Sequence, residues 1–122
     1  MLFVVKNVLQ NILDNYKKIH IETLGCRLNQ IESESVANFF SSDSFSVVMK
    51  SITSKDLIDN NVLLSIVNTC TVTAKAEQKA RRVIRLLLKK FPYAIIVVTG
   101  CYAQVNQTEI ENIDSRIIVL QG

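Results

Sequence analysis

No apolar run in this chain approaches the 18 or so residues that a membrane span requires. The opening Met1-Leu2-Phe3-Val4-Val5 is too short for a signal-peptide core and lacks a basic start and a small-residue cleavage site. A cytoplasmic location with no membrane partner is therefore expected. Cysteine is scarce: the count of three is odd, which excludes a fully paired disulfide framework within one chain. In a reducing compartment such thiols pack as small hydrophobes, bind metal or carry redox chemistry. There is no Gly-rich phosphate loop, no repeat and no low-complexity segment.

What is present describes one globular domain. The 122 residues are enough to bury a core, and 48% hydrophobic with 20% charged residues excludes a disordered chain. The net charge of +3 is unevenly spread. Between Ala74 and Lys90, seven cations face the single Glu77, a local +6 that leaves the remainder at −3. One cationic segment on a mildly acidic protein points weakly to an anionic partner.

Residues 1–17 read as an extension, with Val5, Val8, Leu9, Ile12 and Leu13 at the spacing of a short amphipathic helix. The domain proper spans 18–122. Ile19, Ile21 and Thr23 alternate as a strand, and Asn29 with Glu32 reads as the N-cap of a helix presenting Val36, Phe39 and Phe40 on one face. Phe45 to Met49 forms a second strand, and residues 50–61 suit a short helix or loop. Val62 to Val67 is a continuous apolar run, as in a strand buried on both faces of a parallel sheet. Thr73 caps a long helix to about Lys90, with Ala76, Ala80, Val83, Ile84, Leu87, Leu88 and Phe91 at i, i+3, i+4 spacing, and Pro92 ends it. Ala94 to Thr99 is another strand, Gln104 to Asn112 a weak helix and Ile117 to Leu120 a last strand. This alternation predicts an α/β fold: an open, mostly parallel sheet of about five strands with flanking helices.

Each cysteine opens the loop after a strand: Cys26 after Leu24-Gly25, Cys70 after Asn68-Thr69, and Cys101 after Thr99-Gly100. If those strands are neighbours, the three thiols share the C-terminal edge of the sheet, where open α/β sheets bind ligands. Glycine before a cysteine permits unusual dihedrals and close approach of backbone to a bound group, and helix N-termini behind the loops favour thiolate. The separations of 44 and 31 residues are unlike the short spacing of zinc ribbons. His20 lies six residues before Cys26 on the same strand, roughly 20 Å away at about 3.3 Å per residue. It is excluded as a fourth ligand and expected to be a solvated or strand-edge histidine. Three thiolates without a fourth protein ligand suit a cluster with one open iron. Free cysteines as buried packing remain the plainer alternative.

The strings Thr23-Leu24-Gly25-Cys26-Arg27-Leu28-Asn29-Gln30-Ile31-Glu32-Ser33-Glu34, Asn68-Thr69-Cys70-Thr71-Val72-Thr73 and Thr99-Gly100-Cys101-Tyr102-Ala103-Gln104 resemble the N-terminal domain of the methylthiotransferases. These are radical S-adenosylmethionine enzymes that insert a methylthio group into tRNA or a ribosomal protein. The flanking residues are most similar to the branch that modifies N6-threonylcarbamoyladenosine beside the tRNA anticodon, with Arg27-Leu28 standing where that branch usually has Lys-Val.

The resemblance implies that Cys26, Cys70 and Cys101 ligate an auxiliary [4Fe-4S] cluster whose open iron holds the sulfur to be transferred. It further implies a second [4Fe-4S] cluster on a C-x-x-x-C-x-x-C motif, S-adenosylmethionine as cofactor and a C-terminal RNA-binding domain. This chain carries no C-x-x-x-C-x-x-C, no radical domain and no C-terminal RNA-binding domain, so the polypeptide alone is expected to be inactive, a fragment of a longer enzyme or a truncated gene product. Asn29, Asn68 and Gln104 are candidates to hydrogen-bond cluster or substrate, though turn and cap bonding accounts for them equally and is preferred for Asn29. Lys75, Lys79, Arg82 and Arg85 are candidates for tRNA phosphate contact, against a solvated helix face. Two rival readings are a non-catalytic metal or redox module and a flavodoxin-like binding domain with incidental thiols.

Overall fold

The computed structural model describes residues 1–7, 18–25, 27–42, 45–70 and 73–120. From residue 18 onward the order is β1 (Lys18–Thr23), α1 (Arg27–Ser42), β2 (Ser46–Met49), β3 (Val62–Thr69), α2 (Ala74–Lys90), β4 (Ile95–Gly100), α3 (Cys101–Val105), α4 (Gln107–Glu111) and β5 (Ile117–Val119). The five strands form one sheet in the order β2-β1-β3-β4-β5, and every pairing is parallel. Ahead of β1, residues 2–7 are helical, with Met1 to Val5 exposed. The rest of the expected amphipathic helix, including Val8, Leu9, Ile12 and Leu13, lies outside the described residues.

Chirality places the helices. The β1-α1-β2 crossover runs one way along the sheet and β3-α2-β4 the other, so right-handed connections put α1 and α2 on opposite faces. Two cores result. On one face Ile19 and Ile21 pack with Ala37 of α1, helped by Val36, Phe40, Val47, Leu64 and Ile66. On the other a larger core joins Val67, Ile96, Val98, Ile117 and Val119 to Ala80, Val83, Ile84 and Leu87 of α2. The segment 50–61 crosses on this second face as loop and turns, and buries Ile52 in the larger core.

Local chemistry explains the boundaries. Thr73 caps α2 as expected, its Oγ1 accepting from the Ala76 N–H at 3.1 Å. At the other end the Arg116 guanidinium donates to the carbonyl of Leu88 in the last turn and to those of Phe91, Pro92 and Ala94 just beyond the helix. Two helical expectations are corrected. Helix α1 starts at Arg27, so Asn29 lies within its first turn and is not the cap. Its packed face is Ser33, Val36, Ala37 and Phe40, while Phe39 is 64% exposed. The weak helix over 104–112 is two short ones, broken at Asn106, whose φ of −122° and ψ of 37° leave the helical region.

Candidate functional site

The order β1-β3-β4 makes the three cysteine-bearing strands immediate neighbours. Their registers align the ends as well: Thr23 pairs with Asn68, Asn68 with Thr99, and Thr69 with Gly100. One residue beyond β1, the Leu24 N–H still donates to the Asn68 carbonyl at 2.8 Å. Cys70 and Cys101 therefore leave adjacent strands at the same level, next to the strand end that leads through Gly25. Both are free thiols; Cys70 is half-buried and Cys101 exposed. Cys26 lies outside the described residues. Among the described residues, no three His, Cys, Asp or Glu side chains are grouped to hold a metal ion.

Cys101 does not open a loop. It is the first residue of α3, with Gly100 as a cap that has no side chain to contribute. Gly25 and Gly100 both adopt φ near +100°, at 108° and 100°. At Gly100 the requirement is steric as well: an added Cβ would lie 2.1 Å from the Thr69 carbonyl oxygen and 3.0 Å from Asn68 Oδ1. The two strand ends thus meet backbone to backbone, which only glycine permits.

Around this edge the polar residues are tied down. Asn68 is 4% exposed, and its Nδ2 donates to Glu32 Oε2 of α1 at 3.3 Å. The Thr69 hydroxyl donates to the Thr99 carbonyl at 2.7 Å, and the Thr23 hydroxyl to Ser33 Oγ at 2.7 Å. Gln104 is exposed on α3, and the side chain of Asn29 lies outside the described residues. Tyr102, next to Cys101, is fully buried, and its hydroxyl accepts from Arg81 Nη1 at 3.1 Å. That bond fastens α3 to α2.

His20 corrects its expectation. It is 3% exposed, on a strand paired on both sides, so it is neither solvated nor at an edge. Its Nε2 lies 2.7 Å from the Lys50 carbonyl and its Nδ1 2.9 Å from Ser65 Oγ. A carbonyl only accepts, so Nε2 carries the hydrogen and Nδ1 accepts from the serine. Burial lowers its pKa below 6.5 and keeps it neutral. Glu22 escaped the sequence reading altogether. It is 1% exposed, its Oε1 accepts from the Ile52 N–H at 2.7 Å, and burial raises its pKa. The alternation of Ile19, Ile21 and Thr23 puts Glu22 with His20 on the other face, which this strand buries as well, so no local signal marked it.

The cations divide into two groups. Lys75, Lys79, Arg82 and Arg85 are exposed on α2. Lys75, Lys79 and Arg82 line, with Thr73, a groove of about 540 Å³ that starts three residues after Cys70. Arg81 turns inward, to Tyr102 and to Glu109 at 3.4 Å.

Residues 18–122 match the family model described as Uncharacterized protein family UPF0004. The chain is 49% identical over 104 residues to a protein of Treponema pallidum named threonylcarbamoyladenosine tRNA methylthiotransferase MtaB, covering 85% of this chain and 20% of that protein. It is 38% identical over 103 residues to the protein of that name from Aquifex aeolicus, covering 84% and 23%. A tRNA-2-methylthio-N(6)-dimethylallyladenosine synthase of Neorickettsia sennetsu is 38% identical over 109 residues, covering 83% and 21%. The chain spans about a fifth of the length of these curated relatives. No solved structure matches it. With residues 18–122 matched by one family model, the chain belongs to the UPF0004 family, the N-terminal domain of the methylthiotransferases.

Proposed function

We propose that this chain is the cluster-binding, sulfur-donating domain of a tRNA methylthiotransferase that converts N6-threonylcarbamoyladenosine beside the anticodon to its 2-methylthio form. Cys26, Cys70 and Cys101 are the ligands of an auxiliary [4Fe-4S] cluster. The observation that supports the reading is the register: with Thr69 opposite Gly100, Cys70 and Cys101 follow adjacent strand ends at one level, and the Leu24–Asn68 bond aligns the end of β1 beside them.

The residues present fit such a group. Thiolates are soft donors suited to iron–sulfur clusters, two of the three are free thiols on neighbouring strand ends, and glycines with positive φ precede two of them. When bound, a three-cysteine cluster leaves one iron without a protein ligand and supplies the sulfur. The rest falls to the chain's own residues. Gly100 lets the ends of β3 and β4 close up, the Asn68–Glu32 and Thr69–Thr99 bonds hold the edge in place, and Tyr102 fixes the helix that begins with Cys101. Lys75, Lys79, Arg82 and Arg85 contact tRNA phosphates. The second [4Fe-4S] cluster, S-adenosylmethionine and the main RNA-binding surface belong to other domains of the same enzyme, and the chain alone forms no methylthio product.

Anaerobic reconstitution with iron and sulfide tests the reading. The expected result is about four irons per chain, lost on replacing any one of Cys26, Cys70 and Cys101 with alanine. Full iron loading in all three variants would overturn it.

A further inference from the structure

A pocket of about 410 Å³ opens beside the C-terminal end of β1. Three segments build it: Glu22 and Leu24 of β1 and its continuation, Thr53 and Ser54 of the loop after β2, and Lys79 and Arg82 of α2 after β3. Because β2 lies on one side of β1 and β3 on the other, these segments straddle the point where strand order reverses. Open α/β sheets bind ligands in the crevice at that point.

The electrostatics are lopsided. Lys79 and Arg82, three apart on one helix face, repel each other, and neither forms a salt bridge among the described residues. Glu22 feels the charge of Lys79, but its burial disfavours the ionised form more strongly. Its Oε1 is taken by the Ile52 N–H, and it is 1% exposed. The Thr53 hydroxyl is already donated to Asp56 Oδ2 at 3.1 Å, so the two cations on one lip, with Ser54 opposite, make the receptor for anionic oxygen.

We propose that this pocket is an anion-binding subsite that receives a charged oxygen group of the RNA substrate, with Lys79 and Arg82 as its binding residues. The proposal rests on the tRNA reading above and deepens it. The anionic oxygen comes from a backbone phosphate or from the carboxylate of the threonyl substituent on the target base. Leu24 lies two residues before Cys26, so an RNA group held here is carried to the edge where the cysteine-bearing segments emerge.

The test is equilibrium binding of the full chain to an anticodon stem-loop RNA, with and without the threonylcarbamoyl group, at several salt concentrations. Lys79→Gln and Arg82→Gln are each expected to weaken binding about tenfold. Lys89→Gln, which removes the same charge outside the pocket, is expected to leave it within about twofold. Equal loss on both RNAs with a salt slope reduced by about one assigns a phosphate. Loss confined to the modified RNA assigns the carboxylate. Wild-type affinity in both pocket variants, an equal loss in Lys89→Gln, or no RNA binding by the wild type overturns the subsite. Iron loading keeps the two readings separate: pocket variants that bind about four irons but bind RNA unchanged refute the pocket alone.

Discussion

His20 and Glu22, two residues apart on the same face of β1, give the fold a pH response with opposing parts. Burial disfavours the charge on each, so the pKa of His20 falls below 6.5 and that of Glu22 rises above 4.5. An unfolded chain takes up a proton at His20 that the folded chain refuses, and stability is lost as pH drops through 6.5. Glu22 works the other way: the folded chain holds its proton more tightly, so stability is gained as pH falls from that raised value towards 4.5. Urea midpoints measured from about pH 7.5 to about pH 5.5 should therefore decline, and His20→Gln should flatten the decline whatever it does to the absolute value. An unchanged slope in that variant would remove His20 from the account. Gly100 makes a second prediction at this scale. Gly100→Ala forces a Cβ against the Thr69 carbonyl at a φ of 100° and should cost on the order of 3 kcal/mol in chemical denaturation.

At the scale of the element, the two ends of α2 are held by different devices. Thr73→Ala removes one cap acceptor and should cost about 1 kcal/mol. Arg116→Met removes a guanidinium donor from four carbonyls at the other end, of which Phe91 keeps the Ala94 N–H, and should cost about 2 kcal/mol, measured by urea unfolding. A loss under about 0.5 kcal/mol would mean that water replaces the guanidinium without penalty. Helix α2 was also the element most legible in the sequence, because its cap, apolar stripe and Pro92 all agree. Helix α1 was less so. Asn29 and Glu32 imitate a capping pair, but the chain turns earlier, at Gly25, and the helix is under way by Arg27. The role of Arg116 was invisible, since its acceptors lie 22 to 28 positions away in sequence. His20 was misjudged for the same reason: the loop carbonyl and the serine that bury it come from residues 50 and 65.

For the whole molecule, alternation announced a parallel α/β sheet, but strand order has no local signature. Only the observed β1-β3-β4 adjacency brings the cysteine-bearing ends together, and that depends on which way each crossover turns. The same topology leaves the sheet unevenly covered. Helix α1 packs against the β1 region, while on its side of the sheet Ile95, Ile118 and Leu120 stay 45 to 53% exposed. Substitutions on β4 and β5 should therefore divide by face. Ile118→Thr on the open side should cost no more than about 0.5 kcal/mol, while Val98→Thr, fully buried on the other, should cost about 2 kcal/mol. Equal losses in thermal unfolding would show that the open side is covered in solution.

The strand order also sets a sequence of events. β3 pairs with β1 on one side and with β4 on the other, and the cysteines that flank those pairings stand 44 and 31 residues apart. No stretch of 31 residues or fewer holds two of them, so they come together only through long-range strand pairing. Closing loops of that length is the slow part of building a parallel sheet. For the proposed cluster, loading would thus wait on the seating of the central strand, and a substitution that delays β3 would lower the yield of loaded protein even with the final fold unchanged.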